Sequence, residues 1–122
     1  MNNVATPVIS IVGKSDVGKT TLLEKIIREL KRRGYRVGTV KHHVHWFEID
    51  LPGKDTWRHA EAGSDVVMIA APNRLAMIRR LESELSIDDI AGMMQGVDII
   101  FTEGYKRGDK PKIEVSRADR GR

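Results

Sequence analysis

The feature that most constrains the fold is a glycine-rich segment at residues 13–20, with the sequence Gly-Lys-Ser-Asp-Val-Gly-Lys-Thr. It fills every fixed position of the pattern G-x-x-x-x-G-K-[ST], in which glycines let successive backbone N–H groups converge on phosphate oxygens. The pattern predicts Lys19 at the β- and γ-phosphates of a nucleotide and Thr20 on a magnesium ion. The predicted nucleotide-binding residues are Gly13, Lys14, Ser15, Asp16, Val17, Gly18, Lys19, Thr20 and Thr21.

The segments on either side of this loop have the patterns that such a loop requires. Residues 8–12 are an apolar run rich in β-branched side chains, which is typical of a buried parallel strand. Beyond the loop, apolar residues recur at helical spacing, and Arg32, Arg33 and Gly34 predict the end of that helix. The loop is therefore expected between a strand and a helix N-terminus, whose dipole favours an anion. The apolar helix positions are Leu22, Leu23, Ile26, Ile27 and Leu30.

Further strands and helices alternate along the rest of the chain. This alternation predicts an α/β fold, a mostly parallel twisted sheet flanked by helices, and with the loop it indicates the P-loop NTPase fold. At 122 residues we expect a single nucleotide-binding domain over residues 1–122. The predicted elements are a strand at 35–40, a helix from Asp55 or Thr56 to Ala62, strands at 66–70 and 75–78 joined by a turn at 72–73, a helix from a Ser86 cap to Met94, and strands at 98–101 and 112–115.

Composition narrows the class of protein. With 40% hydrophobic and 31% charged residues, the chain is typical of a globular domain. It has no cysteine, which excludes a disulfide framework, a thiolate metal site and a cysteine nucleophile. The sequence shows no signal peptide and no apolar stretch of membrane-spanning length, so we expect a cytoplasmic protein without a membrane partner. The net charge of +4 suits an acidic partner, but no aromatic residues interleave with the basic clusters, so nucleic acid is not expected.

A phosphate loop of this kind needs an acidic residue at the end of another strand to hold magnesium. Glu103 fits this position, because the apolar strand at 98–101 leads into it and Gly104 then lets the chain turn away. Asp98 lies at the wrong end of the same strand, and Asp65 precedes its own strand, so neither is expected to take this role.

Residues 41–55 form a polar loop dense in histidine and carboxylate side chains. The segment after the second strand often contacts the γ-phosphate or its metal, so Asp50 is predicted as a magnesium ligand together with Thr20 and Glu103. Imidazole and carboxylate ligands also suit a transition metal, and this second hypothesis stays open. Its ligands would come from His42, His45, Glu48 and Asp50. The predicted contacts to a substrate or partner are Lys41, His42, His45, Lys54, Asp55 and Lys106.

Taken together, these motifs resemble the MobB family of molybdopterin-guanine dinucleotide biosynthesis adapter proteins. The resemblance implies a protein that binds GTP with Mg²⁺ and assists the molybdopterin guanylyltransferase, which attaches GMP to molybdopterin. It also implies at most weak GTP hydrolysis, a homodimer and a contact with molybdopterin itself. The guanine preference rests on the resemblance alone, because the chain has no Asn/Thr-Lys-x-Asp guanine-recognition sequence. The matching segments are residues 18–22, 41–42 with His45 and Asp50, 52–55 followed by 62–63, and 103–106 with 112–113.

Three features depart from the family pattern. Trp46 stands where the family often has an acidic residue, and Asp16 puts a negative charge inside the phosphate loop, so its side chain is expected to turn outward. The chain is also shorter than is usual for the family, so a C-terminal segment is expected to be missing. Lys14 has the register of the signature lysine of dimeric ATPases, which resembles an arginine finger acting across the dimer, and this hypothesis makes it the one catalytic candidate.

Other functions stay open. A P-loop small-molecule kinase would use the same loop, with Arg74, Arg79 and Arg80 contributing to a basic lid, although the sequence has no clear lid segment. A metal-insertion GTPase would use the histidines. For Lys41 and Lys54, phosphate binding and ordinary solvation are both open.

Overall fold

The strands that the structure describes form two separate sheets. The computed structural model describes residues 6–14, 18–43 and 54–116. In chain order the elements are β1 (Val8–Val12), α1 (Lys19–Arg32), β2 (Val37–Lys41), α2 (Asp55–Glu61), β3 (Val66–Ala71), β4 (Arg74–Arg79), α3 (Ile87–Gly92), β5 (Ile99–Glu103) and β6 (Lys112–Glu114).

The larger sheet has four strands in the order β2-β5-β1-β6, and every neighbouring pair is parallel. This confirms the predicted α/β fold with a parallel sheet. Because the strands run in one direction, β1, β2 and β5 all end at one edge, which we call the carboxyl edge. The phosphate loop leaves β1 at this edge, and Glu103 is the last residue of β5.

The core of this sheet lies where α1 packs against β1 and β5. Ile11, Leu23 and Phe101 are buried together, and the apolar stripe of α1 continues the packing through Ile26 and Ile27. Removing an aliphatic or aromatic side chain of this size from water stabilises a fold by about 1.5–3 kcal/mol. This packing therefore holds β1 and β5, two of the strands that end at the carboxyl edge, in place.

A buried polar pair ties β1 to β5 within this core. Ser10 and Thr102 are opposite each other in the parallel register, and both are completely buried. The hydroxyl of Thr102 donates to Oγ of Ser10 at 2.9 Å, so neither polar side chain is buried without a partner. The bond fixes the strand position directly before Glu103.

The first helix ends as the sequence predicts. Gly34 has φ 91°, and its N–H and that of Tyr35 donate to the carbonyl oxygens of Lys31 and Leu30 at 3.0 Å. A left-handed residue with these bonds satisfies the last carbonyls of a helix. Near this end, the hydrogen bond from Arg32 and then that from Arg33 lower the pKa of Glu29 below its ordinary value.

The described part of residues 45–85 forms a compact unit of its own, apart from the unit made by Met1–Val44 and Ser86–Arg122. It contains α2 and the antiparallel pair β3 and β4, in which Met68 is opposite Met77. The strands and the turn between them were predicted, but they stand outside the parallel sheet. Compact units are not necessarily independent domains, so the single-domain prediction stays a prediction.

The start of α2 corrects one prediction. The N-cap position belongs to Lys54, not to Asp55 or Thr56, and no side chain caps this helix. Asp55 is instead the first helical residue, where its negative charge is favourable against the helix dipole. By contrast, α3 begins as predicted, because Ser86 and Asp89 form a reciprocal capping box.

No helix in the described ranges combines the length and the apolarity needed to cross a membrane.

Candidate nucleotide site

The phosphate loop begins and ends in glycine conformations that other residues rarely adopt. Gly13 follows β1 with φ 150°, and Gly18 has φ 94° at the N-cap of α1. Positive φ carries no steric cost for glycine, which explains why the pattern fixes these two positions. The predicted contacts of Ser15, Asp16 and Val17 lie outside the described residues.

The first turn of α1 presents backbone donors at the loop. The first backbone hydrogen bond of the helix runs from the N–H of Leu22 to the carbonyl of Gly18 at 2.9 Å, and no side-chain cap is formed at Gly18. The N–H groups of the first turn, from Lys19 to Thr21, have no intrahelical acceptor. Together with the helix dipole, they make this end of α1 suitable for a phosphate group.

The hydroxyl of Thr20 and the carboxylate of Glu103 meet at the carboxyl edge. Oγ1 of Thr20 donates to Oε1 of Glu103 at 2.7 Å, across a separation of 83 residues. Because the hydroxyl gives its proton to the carboxylate, its oxygen lone pairs remain for a cation, and oxygen ligands are those that Mg²⁺ prefers. The structure thus brings together two of the three residues that the sequence predicts as magnesium ligands. The third, Asp50, lies outside the described residues.

Asp98 lies at the opposite edge of the sheet. Its carboxylate accepts the backbone N–H of Arg36 at 2.7 Å, at the start of β5. This agrees with the prediction that Asp98 does not compete with Glu103 for the metal.

An aromatic pair stands directly beside Glu103. The rings of His42 and Tyr105 stack with their centroids 4.0 Å apart and an interplanar angle of 13°. Tyr105 has φ 62°, and it is the one described residue other than glycine with a positive φ. The sequence patterns did not predict this pair. Its signal was that both residues follow strands of the same edge, β2 and β5, by one or two positions.

The turn between Glu103 and Tyr105 is held closely against both neighbouring strands. The N–H of Gly104 donates to the carbonyl of Ile11 at 3.0 Å, and the N–H of His42 donates to the carbonyl of Glu103 at 3.0 Å. Gly104 has φ 115°, and a Cβ at this position would lie 3.0 Å from Cβ of His42. Both the positive φ and the close approach of His42 therefore favour glycine at this position.

The other predicted site residues are distributed over both units. Lys14 and Lys41 are exposed, Lys41 is the last residue of β2, and Lys106 is exposed after Tyr105. Lys54 and Asp55 belong to the unit that contains α2. Their contacts to a substrate or partner stay predictions.

The transition-metal hypothesis concerns residues that are mostly not described. Among residues 6–14, 18–43 and 54–116, no group of three histidine, cysteine or acidic side chains is arranged to hold a metal. His45, Glu48 and Asp50 lie outside these ranges, so the hypothesis stays untested.

Comparison with known proteins places these features in a family. The family model for MobB, molybdopterin guanine dinucleotide synthesis protein B, matches residues 8–122. The chain is 40% identical over 121 residues to the molybdopterin-guanine dinucleotide biosynthesis adapter protein of Haemophilus influenzae, covering 98% of this chain and 67% of that protein. It is 35% identical over 119 residues to the adapter protein of the same description from Escherichia coli, covering 94% of this chain and 68% of that protein.

Solved structures of similar proteins agree with the fold. The crystal structure of Bacillus subtilis MobB superposes with a TM-score of 0.74 at 30% identity, covering 89% of this chain and 67% of that one. A MobB homologue from Bacillus stearothermophilus gives a TM-score of 0.70 at 29% identity, covering 93% of this chain and 66% of that one. The chain thus spans about two thirds of the length of the relatives it matches.

Proposed function

The chain belongs to the MobB family, and on this premise we propose that it is a nucleotide-binding adapter in the biosynthesis of molybdopterin-guanine dinucleotide. It binds GTP together with Mg²⁺ and assists the guanylyltransferase that attaches GMP to molybdopterin. The observation that supports the nucleotide part most directly is the hydrogen bond between Thr20 and Glu103 at the start of α1. It joins the end of the phosphate loop to the acidic strand end that such sites need.

The phosphates are bound by the loop and the first turn of α1. Backbone N–H groups from Gly13 to Thr21 surround the phosphate oxygens, and Lys19 neutralises the β- and γ-phosphates. For Asp16, we expect a carboxylate that faces away from the phosphates, because a negative charge facing them would repel them.

The Mg²⁺ ion is held by Thr20 and Glu103, with Asp50 as a further ligand. A bound Mg²⁺ neutralises charge on the phosphates and orients them. The donor set suits this ion, because the paired hydroxyl and carboxylate oxygens are hard ligands and the described part of the site contains no thiolate.

The protein acts mainly by binding, and its own GTP hydrolysis is weak. Faster GTP hydrolysis requires a homodimer, in which Lys14 of each copy reaches the nucleotide site of the other copy. Lys41, His42, His45, Lys54, Asp55 and Lys106 contact molybdopterin or the guanylyltransferase.

Calorimetric titration with GTP and ATP, each in Mg²⁺ and in EDTA, tests this proposal. We expect GTP to bind more tightly than ATP, and Mg²⁺ to strengthen binding. Lys19→Ala should weaken GTP binding about 10- to 100-fold, because a hydrogen bond to a charged group contributes about 1.5–3 kcal/mol. Lys25→Ala, an exposed lysine of the same helix, is the matched control and should bind as the wild type does.

Three outcomes would contradict the proposal at different levels. Absence of any Mg²⁺-dependent nucleotide binding would refute the nucleotide site, and equal affinity for ATP and GTP would refute the guanine preference. Rapid phosphoryl transfer from a nucleotide to a small acceptor would favour a kinase instead. Adding the chain to a guanylyltransferase assay tests the adapter role, for which we expect a higher yield of molybdopterin-guanine dinucleotide.

A further inference from the structure

The stacked pair of His42 and Tyr105 lies one step from the carboxylate that the proposed site uses. In the parallel register Lys41 is opposite Glu103, so the residues that follow each strand leave the sheet side by side. The N–H of His42 donates to the carbonyl of Glu103 at 3.0 Å, and two residues beyond the end of β5 the ring of Tyr105 stacks on that of His42. The same two chain segments are therefore joined through both backbone and side chains.

Strand pairing fixes the backbone of Glu103, whereas single hydrogen bonds hold the turn that follows it, from the N–H of Gly104 to Ile11 and from the N–H of Gly108 to Tyr105. Strand pairing holds Glu103 beside Ile11 of β1 and Lys41 of β2. Beyond it the chain turns through two positive φ values, 115° at Gly104 and 62° at Tyr105. Glycine adopts such an angle freely, whereas tyrosine does so at a cost that surrounding contacts must offset.

The aromatic stack is a contact that helps to offset this cost, beside the hydrogen bond from the N–H of Gly108 to the carbonyl of Tyr105 at 3.0 Å. Nearly parallel rings with centroids 4.0 Å apart lie in the range of favourable aromatic contacts. The fit is close below the rings as well, because a Cβ on Gly104 would lie 3.0 Å from Cβ of His42. If the ring of Tyr105 were lost, the turn would keep its backbone hydrogen bonds but lose this contact, and the Glu103 side chain would be less closely restricted.

We propose that the stack of His42 on Tyr105 is a positioning device that holds the turn after β5 so that the Glu103 carboxylate stays within hydrogen-bond distance of Thr20. Neither ring touches the nucleotide in this role; both act through Glu103. The inference rests on the proposed Mg²⁺-nucleotide site and adds two residues that govern its metal affinity.

The experiment measures nucleotide binding as a function of Mg²⁺ concentration and, separately, in EDTA. Tyr105→Ala and His42→Ala should each raise the Mg²⁺ concentration needed for half-maximal effect about tenfold, the lower end of what loss of a supporting residue costs a metal site. Nucleotide affinity in EDTA should stay within about twofold, because the phosphate loop is untouched. Tyr105→Phe and His42→Phe retain a stack and should behave as the wild type does.

Controls separate positioning from a general loss of structure. Tyr35→Ala removes an exposed tyrosine at the other end of β2, and His59→Ala removes an exposed histidine of α2; neither should change the Mg²⁺ dependence. Circular dichroism before each titration confirms that the variants are folded.

Several results would overturn the inference. One is an unchanged Mg²⁺ dependence in the alanine variants, in a wild type that binds Mg²⁺-nucleotide. Another is a loss of Mg²⁺ affinity in the phenylalanine variants that is as large as the loss in the alanine variants. A third is normal behaviour of Tyr105→Gly, which would show that a residue tolerating positive φ suffices without a ring. A wild type that binds no nucleotide in Mg²⁺ would instead refute the proposed function itself.

Discussion

Glu103 is held by contacts with α1, with β1 and with the residue that follows β2. Its side chain accepts from Thr20 at 2.7 Å, its carbonyl accepts from His42 at 3.0 Å, and it is opposite Ile11 in β1. It follows Thr102, whose hydroxyl is bonded to Ser10 in the core. A carboxylate with so many restraints needs little reorganisation to receive a cation, which favours tight binding.

The charge of Glu103 should matter for the proposed Mg²⁺ site in addition to its hydrogen bond with Thr20. Glu103→Gln keeps an oxygen that accepts from Thr20 but removes the negative charge, so we expect Mg²⁺-dependent binding to weaken at least about tenfold. Binding in EDTA should be unchanged or slightly tighter, because less negative charge faces the phosphates. Titration with Mg²⁺ at a fixed nucleotide concentration measures the first effect, and titration with nucleotide in EDTA measures the second. Glu82→Gln, an exposed glutamate, is the control, and an equal effect of the two substitutions would contradict the expectation.

At this scale the sequence predicted the residues that have fixed chemical patterns. Thr20 and Glu103 were both identified, because a loop pattern and an acidic strand end each have a characteristic sequence. The partnership of His42 with Tyr105 was not. It depends on which strands are neighbours and on a positive φ at a tyrosine, and residue type gives no sign of such an angle.

The helices differ in how their ends are secured. The third helix has a capping box in which the N–H of Asp89 donates to Oγ of Ser86 at 3.0 Å and the Asp89 carboxylate accepts from the N–H of Ser86 at 3.3 Å. The side chain of Lys110 adds an ion pair to Asp88, and this hydrogen bond raises the pKa of Lys110. The second helix has no side-chain cap.

Removing the cap of α3 should lower stability measurably. Ser86→Ala leaves the N–H of Asp89 without its side-chain acceptor, so the free energy of unfolding should fall by about 1 kcal/mol. Urea unfolding followed by circular dichroism measures this, with Ser116→Ala, an exposed serine after β6, as the matched control. A loss below about 0.3 kcal/mol would show that α3 is held by packing and not by its cap.

The type and order of the helices and strands were predictable from the sequence, but the sheet to which each strand belongs was not. Local patterns located β1 and the end of α1 correctly. The same patterns gave β3 and β4 as strands, but a short turn between them favours pairing with each other, and nothing local distinguishes such a hairpin from two strands of the main sheet. The N-cap of α2 was misplaced because Asp55 suits both the cap and the first turn.

The two compact units differ in how much of each is buried. In the unit with the parallel sheet, β1 and β5 contain most of the buried residues described. In the described part of residues 45–85, Val67 alone is buried, while Met68, Leu75 and Met77 are 54%, 65% and 43% exposed. Local opening of a structure is easiest where few apolar contacts are buried.

The rates of amide hydrogen exchange should therefore differ between the two compact units. We expect the amides of β1 and β5 to exchange only through global unfolding, and those of β3 and β4 to exchange at least about tenfold faster through local opening. Exchange followed by mass spectrometry of peptic fragments measures the difference. Equal protection of the hairpin and the central strands would contradict the expectation. Addition of Mg²⁺-nucleotide should slow exchange at the carboxyl edge.

The hydrogen bond between Thr20 and Glu103 forms late during synthesis of the chain, because its two residues are 83 positions apart. A chain emerging from the ribosome exposes the phosphate loop and α1 first, and pairing of β1 with β5 must wait for the later segment and for closure of the long intervening loop. A nascent chain therefore carries a phosphate-binding motif well before it has the carboxylate that completes it. On the proposed function, Mg²⁺-dependent nucleotide binding should therefore begin only once β5 has been made and has paired with β1, because shorter intermediates lack Glu103.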